Sequence, residues 1–349
     1  MSHRVIGKAV LAFAVTLVIS LHAVVRPATA QETSDSSGGY IDDALVRSRM
    51  RVRLDAGFDM NRPDRAEFFY ASWADLTIHE DAIKGTNRIL NAPHNRGPLL
   101  APQSLNYQDV STYLELNCNE RMSVFGELPF RLVQFQGNID DDPLEAQSAP
   151  RSAQGFSDLL LGFKFAVINQ PDTFLTFQFR TFIPTGNSAL GLGTGHVSVE
   201  NGLLLQQRLA HDLAFMGQAK LWSPIAGGSN AGNIAIFGAG LSYDLCHCNG
   251  FRITPVAEFV GWTLLNGFES IGDPNGVQVV PNTAIDSNGN PASKTHGVQD
   301  ATGETIVNAK FGIRTVLGPQ DDIYIGWGHA LTGNRWYQDM LRIEYRRTF

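Results

Sequence analysis

Within GHVSVENG (195–202), His196, Ser198 and Glu200 stand at alternate positions. On an extended strand, alternate side chains share a face, so a base, a hydroxyl nucleophile and an orienting acid would line up there. That is the residue set of a hydrolytic triad. A second stretch, Cys246-His247-Cys248, offers two thiols and an imidazole. Four-ligand spacing is absent, so no metal is expected. Cys118, with Cys246 or Cys248, makes one disulfide possible in an exported protein; free thiols are the other reading. Whether these groups do chemistry depends on the elements that carry them.

Those elements are short runs of period two. MRVRLDAGF (50–58) sets Met50, Val52, Leu54, Ala56 and Phe58 against Arg51, Arg53, Asp55 and Gly57. Helical spacing would put arginines among the apolar positions, so a strand is expected. DLLLGFKFAV (158–167), FLTFQFRTFI (174–183) and IVNAKFGIRT (306–315) alternate in the same way. Similar runs lie near 109–118, 122–131, 196–209, 212–222, 233–245, 251–262 and 322–330, and MLRIEYRRTF (340–349) ends the chain. Twelve strands are therefore expected. Many short strands also suit a soluble sandwich. Against a sandwich, single charged residues recur on one face of nearly every run, opposite Phe, Leu, Ile and Val.

The connections argue the same way. Long ones (59–108, 132–157, 263–305) alternate with short ones (119–121, 210–211, 246–250). Outer-membrane barrels have this rhythm, with tight periplasmic turns and long extracellular loops. Lipid satisfies no backbone N–H or C=O, so strands cross it only as a closed sheet. The expected fold is all-β: a closed antiparallel transmembrane barrel of about 12 strands at residues 49–349, with both termini periplasmic.

Export is expected from the start of the chain. Arg4 and Lys8 precede an apolar run from Ala9 to Val25, and Ala28-Thr29-Ala30 supplies the small residues of a cleavage site. Residues 1–30 read as a signal peptide and 31–48 as a polar periplasmic segment that tucks into the barrel mouth. Removing residues 1–30 takes away three basic residues (Arg4, Lys8, Arg26) and no acid, moving the net charge from −7 to −10. That acidity disfavours a nucleic-acid partner.

The face expected to line the lumen is charged. It carries Arg51 and Arg53, then Glu115, then Glu127 and Arg131, then Asp158 and Lys164. Arg180 follows, with Glu200 and Arg208, Lys220 and Glu258. Lys310 with Arg314, and Arg342 with Glu344, complete it. Mixed signs away from bulk water should pair, either stiffening the barrel or lining a selective path. His196, Ser198 and Glu200 share this lumen face, which suits polar lining better than catalysis on lipid. The aromatic loop segment NRPDRAEFFYASW (61–73) would form a constriction or pack on the rim.

GFSDLLLGFKF (155–165) and LTFQFRTFIPTGNSALGLGTGH (175–196) carry a Gly-x-x-Asp strand opening, a Pro-Thr-Gly turn and a Gly-rich loop. In these the chain resembles the outer-membrane barrels of a meta-pathway of phenol degradation, relatives of fatty-acid channels. The resemblance implies a pore that admits small hydrophobic or aromatic solutes, without cofactor or covalent chemistry. The outer-membrane phospholipases are also twelve-stranded with a His-x-Ser pair, but their downstream Asn has no clear counterpart here. The final strand resembles the targeting signal read by the barrel-insertion machinery, with Phe349 last and Tyr345 four residues before it. A channel of unnamed cargo in the bacterial outer membrane, contacting its lipids, is the leading expectation. A structural or adhesive barrel comes second, and a lipid hydrolase using His196 and Ser198 third.

Overall fold

A computed structural model describes residues 38–60, 104–136, 152–225, 232–248, 251–271, 297–333 and 335–349. The signal segment, residues 31–37, the aromatic stretch 61–73 and most of the longest connections lie outside these.

The strands are β1 (Arg49–Met60), β2 (Ser104–Asn119), β3 (Met122–Gln136), β4 (Ala153–Phe156), β5 (Leu159–Gln170), β6 (Thr173–Ile183), β7 (Ser198–Arg208) and β8 (Leu213–Pro224). After them come β9 (Ile234–Tyr243), β10 (Cys246–Cys248), β11 (Phe251–Leu264), β12 (Phe268–Ile271), β13 (Gly297–Asp300), β14 (Thr305–Leu317), β15 (Asp321–Ala330) and β16 (Asp339–Thr348). Twelve of them form a ring. Each long strand pairs antiparallel with its sequence neighbours, β9 pairs with β11 past the short β10, and β1 closes on β16. The seam register sets Arg53 against Glu344 and Leu54 against Ile343. At its end the Phe349 N–H donates to Ser48 O (3.1 Å).

A closed sheet has no free edge and two surfaces. Outside, large apolar side chains stand exposed all round the ring, among them Leu116, Phe165, Leu203, Phe259, Ile313 and Trp327. Inside lie the charged residues and a cluster of large side chains. At the long-loop end that cluster includes Met60, Leu105, Tyr107, Leu192, Trp336 and Tyr337; deeper in it includes Tyr40, Ile41, Met216 and Tyr324.

Strand pairing exceeds the expected runs in four places. β2 and β3 stay paired as far as Ser104 and Gln136. β4 adds onto β3 within the expected 132–157 connection, and β12 pairs with β13 within the expected 263–305 connection. Cys246–Cys248, expected as a turn, forms β10 along β11.

Candidate functional site

The segment GGYIDDALVR (38–47) has the composition of a solvated leader, yet Tyr40, Ile41, Asp43, Ala44 and Leu45 are all buried. It crosses the barrel interior and makes no strand pairing there. Its main chain must be satisfied by side chains of the wall, because a buried N–H or C=O without a partner is costly. Glu258 of β11 does most of this. Its carboxylate accepts the N–H groups of Gly39 (3.1 Å), Tyr40 (2.9 Å) and Ile41 (2.9 Å). Arg342 Nη1 donates to Gly39 O (2.7 Å), Arg314 Nη2 to Gly38 O (2.5 Å), and Thr176 Oγ1 to Ala44 O. Gly39 is required for this approach, since a Cβ there would run into the Tyr324 ring.

The acids of the segment complete the wall's electrostatics. Asp42 accepts from Lys220 (2.5 Å), Arg180 (2.7 Å) and Gln178 (3.1 Å). Asp43 pairs with Arg49 and lies 3.5 Å from Arg346. Burial pushes both carboxyls up, but Arg180 and Lys220 at Asp42, and Arg49 at Asp43, outweigh it. Both are held well below the usual carboxylate range. A cavity of about 20 Å³ between Gly38–Asp43 and the wall has room for roughly one water.

The wall itself is a continuous ion-pair network. Glu127 bridges Arg51 (2.9 Å) and Arg53 (2.8 Å), and Arg342 donates to Asp55 (2.6 and 2.8 Å). Glu344 takes Arg314 (2.9 Å), whose other arm meets Asp322, and Asp322 takes Arg346 (2.7 Å). Glu115 is fully buried and accepts from Arg49, Lys164, Tyr113 and Ser123. Glu200 sits 3.4 Å from Arg180 and 3.5 Å from Lys220, and Arg131 pairs with Asp109 nearer the loop end. Arg208 stands apart, half-exposed at the turn end beside Asp172 (3.5 Å).

The sixteen residues read from sequence as lining hold ten bases and six acids. The missing negative charge comes from groups not assigned there: Asp42 and Asp43 of the segment, with Asp55, Asp109 and Asp322 on the strands. The excess of bases on the lumen face was the available signal for an acidic occupant.

Asp158 has a different role. It accepts from Gly186 N (3.0 Å), Thr194 N (2.7 Å) and Thr194 Oγ1 (2.8 Å), while Thr185 Oγ1 donates to Ser157 O (3.0 Å). The Gly-x-x-Asp, Pro-Thr-Gly and Gly-rich pieces therefore form one knot folding the 184–197 connection over the loop end. Gly193 has no room for a side chain against that carboxylate.

The His-x-Ser-x-Glu face is not assembled as a triad. His196 Nδ1 contacts Thr194 O (3.0 Å), and the Ser198 hydroxyl is buried with no hydrogen-bond partner among the described residues. Glu200 serves the arginine–lysine network instead. Cys118 is an exposed free thiol; the side chains of Cys246 and Cys248 lie outside the described residues. Arg347, on the outer face, pairs with Asp321 (3.4 Å) and Gln320 (3.2 Å), and the Tyr345 hydroxyl donates to Asp321 (2.6 Å).

No protein-family model matches the sequence, and no curated protein matches it significantly. Among solved structures, the chain is similar to the COG4313 outer membrane channel from Pseudomonas putida F1, with 14% identity, 90% of this chain and 100% of that chain covered, and a TM-score of 0.47. The β domain of the Bordetella autotransporter BrkA gives 12% identity, 87% and 100% coverage and a TM-score of 0.45. The NanC porin gives 7%, 85% and 98%, and 0.41.

Proposed function

We propose that this chain is an outer-membrane channel for small hydrophobic or aromatic solutes, closed by its own N-terminal segment. The observation that carries the reading is the mode of attachment of residues 38–48. They fill the lumen through ion pairs and side-chain bonds to their main chain, with no β-pairing that would make them part of the wall. A part held this way can leave without unzipping the sheet. The apolar outer face needs lipid, since soluble proteins rarely expose so continuous a belt. The rings gathered toward the loop end, Tyr107, Trp262, Trp336 and Tyr337, suit a hydrophobic or aromatic solute. The resemblance to barrels of phenol degradation points to the same solute class.

In this reading residues 1–30 export the chain and are removed, and the termini face the periplasm. Tyr345 and Phe349 are then read by the insertion machinery. Single-channel recording in planar bilayers tests it. The full chain should conduct rarely, and a variant lacking residues 31–45 persistently. Silence of the folded deletion variant, with no solute uptake in proteoliposomes, would overturn it. A second reading, a scaffold or adhesin that works through its long loops, is favoured by the filled interior and would take its place on that result.

A further inference from the structure

The Tyr40 ring lies in an unusual setting. Lys310 Nζ is 3.8 Å from its centroid and Arg342 Cζ 4.1 Å, while Tyr324 meets it edge-on at 6.1 Å. Two cations against one neutral ring give the ring a specific hold, because each is attracted to its π face. The two cations differ in what else they have. Arg342 is committed to Asp55 and to Gly39 O. Lys310 Nζ has Tyr337 at 5.4 Å and Trp262 at 5.6 Å but makes no hydrogen bond among the described residues. Glu258 stands opposite it in the register, but that carboxylate is occupied by three N–H groups of the segment. No carboxylate lies within ion-pair distance of Lys310 among the described residues.

The polar groups around this ammonium are also unanswered. Asn308, two residues toward the loop end on the same face of β14, is 1% exposed with neither end of its amide hydrogen-bonded among the described residues. The hydroxyls of Tyr40 and Tyr337 are likewise buried without partners. Buried polar groups in this state carry a desolvation penalty that a guest with matching oxygens would remove. Tyr40 supplies the flat ring that the slot grips but not the anion that its ammonium, amide and hydroxyls call for.

We propose that the Tyr40 position is a binding slot for a small aromatic carboxylate, and that such a ligand opens the barrel by displacing Tyr40. The ligand's ring takes the place of the tyrosine ring between Lys310, Trp262 and Tyr337. Its carboxylate accepts from Lys310 Nζ, the Asn308 amide and the Tyr337 hydroxyl. Once Tyr40 is out, the main chain at 39–41 loses its register on Glu258. This deepens the plug reading above and rests on it for the opening step; the slot itself stands on the contacts.

The test is calorimetric binding of benzoate to the full chain in detergent, beside cyclohexanecarboxylate and benzyl alcohol. Wild type should bind benzoate, and each of the other two, lacking ring or charge, about tenfold more weakly. Tyr40→Ala removes the internal competitor and should bind benzoate about tenfold more tightly, whereas Lys310→Met should bind it about tenfold more weakly. Asn308→Ala, a smaller change, should also weaken binding and serves if Lys310→Met fails the heat-dependent gel shift of a folded barrel. Benzoate binding that is unchanged in Tyr40→Ala, or unchanged in the folded Lys310 or Asn308 variant, overturns the slot. The two proposals fail separately: a silent deletion variant that leaves this binding pattern intact removes the channel alone, and a conducting one without benzoate binding removes the slot alone.

Discussion

Replacing Glu258 by Gln should loosen the plug while leaving the barrel wall nearly isosteric. In the native chain one carboxylate receives three backbone N–H groups, with Oε1 accepting from Gly39, Tyr40 and Ile41 and Oε2 again from Tyr40. Hydrogen bonds to a charged acceptor contribute about 1.5–3 kcal/mol each, against about 0.5–1.5 for a neutral one. Gln retains one oxygen for these donors and loses the charge, so each N–H is weakened by about 1 kcal/mol. Three donors give about 3 kcal/mol, or roughly a 100-fold shift of the closed-to-open ratio toward open. Single-channel recording reads that ratio directly, and the heat-dependent gel shift reports whether the barrel folded. A folded Glu258→Gln barrel whose ratio stays within about threefold of wild type would show that this carboxylate does not hold the segment. The same null result with Glu258→Ala would remove the cradle altogether.

Three further outcomes are expected. Gly39→Val should drive its side chain into the Tyr324 ring and raise the open fraction, and adding Tyr324→Ala should restore closure; a double variant as open as the single one would contradict the steric account. Asp158→Ala should free the 184–197 connection by removing three hydrogen bonds, a loss of about 2–4 kcal/mol of local stability. It should appear as faster amide exchange at Gly186 and Thr194 with the barrel itself intact. Acid should open the channel late. Asp42 and Asp43 have folded-state values depressed below their unfolded ones, so their contribution is present above the unfolded value of about 4 and is lost as pH falls through the folded values. Asp42 and Asp43 should therefore contribute no change in open probability from about pH 5 to 8 and a rise only below about pH 4, and any change above that range would implicate other groups, Glu258 first.

The wall was legible because each stave faces two different solvents. Leu159, Leu161, Phe163 and Phe165 against Gly162 and Lys164 can be read only as a strand with an apolar outside. The same logic hid the plug. The sequence placed residues 31–48 at the barrel mouth, but because the buried core of a soluble protein is apolar, nothing in Gly38-Gly39-Tyr40-Ile41-Asp42-Asp43 signalled how deeply it is buried. Inside this barrel the core is charged, and an acidic, glycine-started segment is what fits it. The loop knot was half legible: Gly155 to Asp158 and Pro184-Thr185-Gly186 stood out as motifs, but only the fold shows that Asp158 binds the turn and the Gly-rich loop together. His196 and Ser198 show the limit of periodicity, which assigned their shared face correctly. It could not reveal that the imidazole turns to Thr194 O and leaves the hydroxyl alone.

The continuity of the plug with β1 has a kinetic consequence. Asp43 is bonded to Arg49, the first residue of the first stave, and Ser48 is tied to Phe349 of the last, so the segment is anchored at the seam of the barrel. In the proposed closing role it acts as a tethered ligand, present at its own site at an effective concentration in the millimolar range or above. Closure is then a first-order event that does not depend on how much protein the membrane holds. A synthetic copy of residues 31–48 added to the deletion variant would have to reach about millimolar levels to mimic it. A free solute competing for the interior faces the same local excess, so it can only shift the fraction of time that the tether spends away.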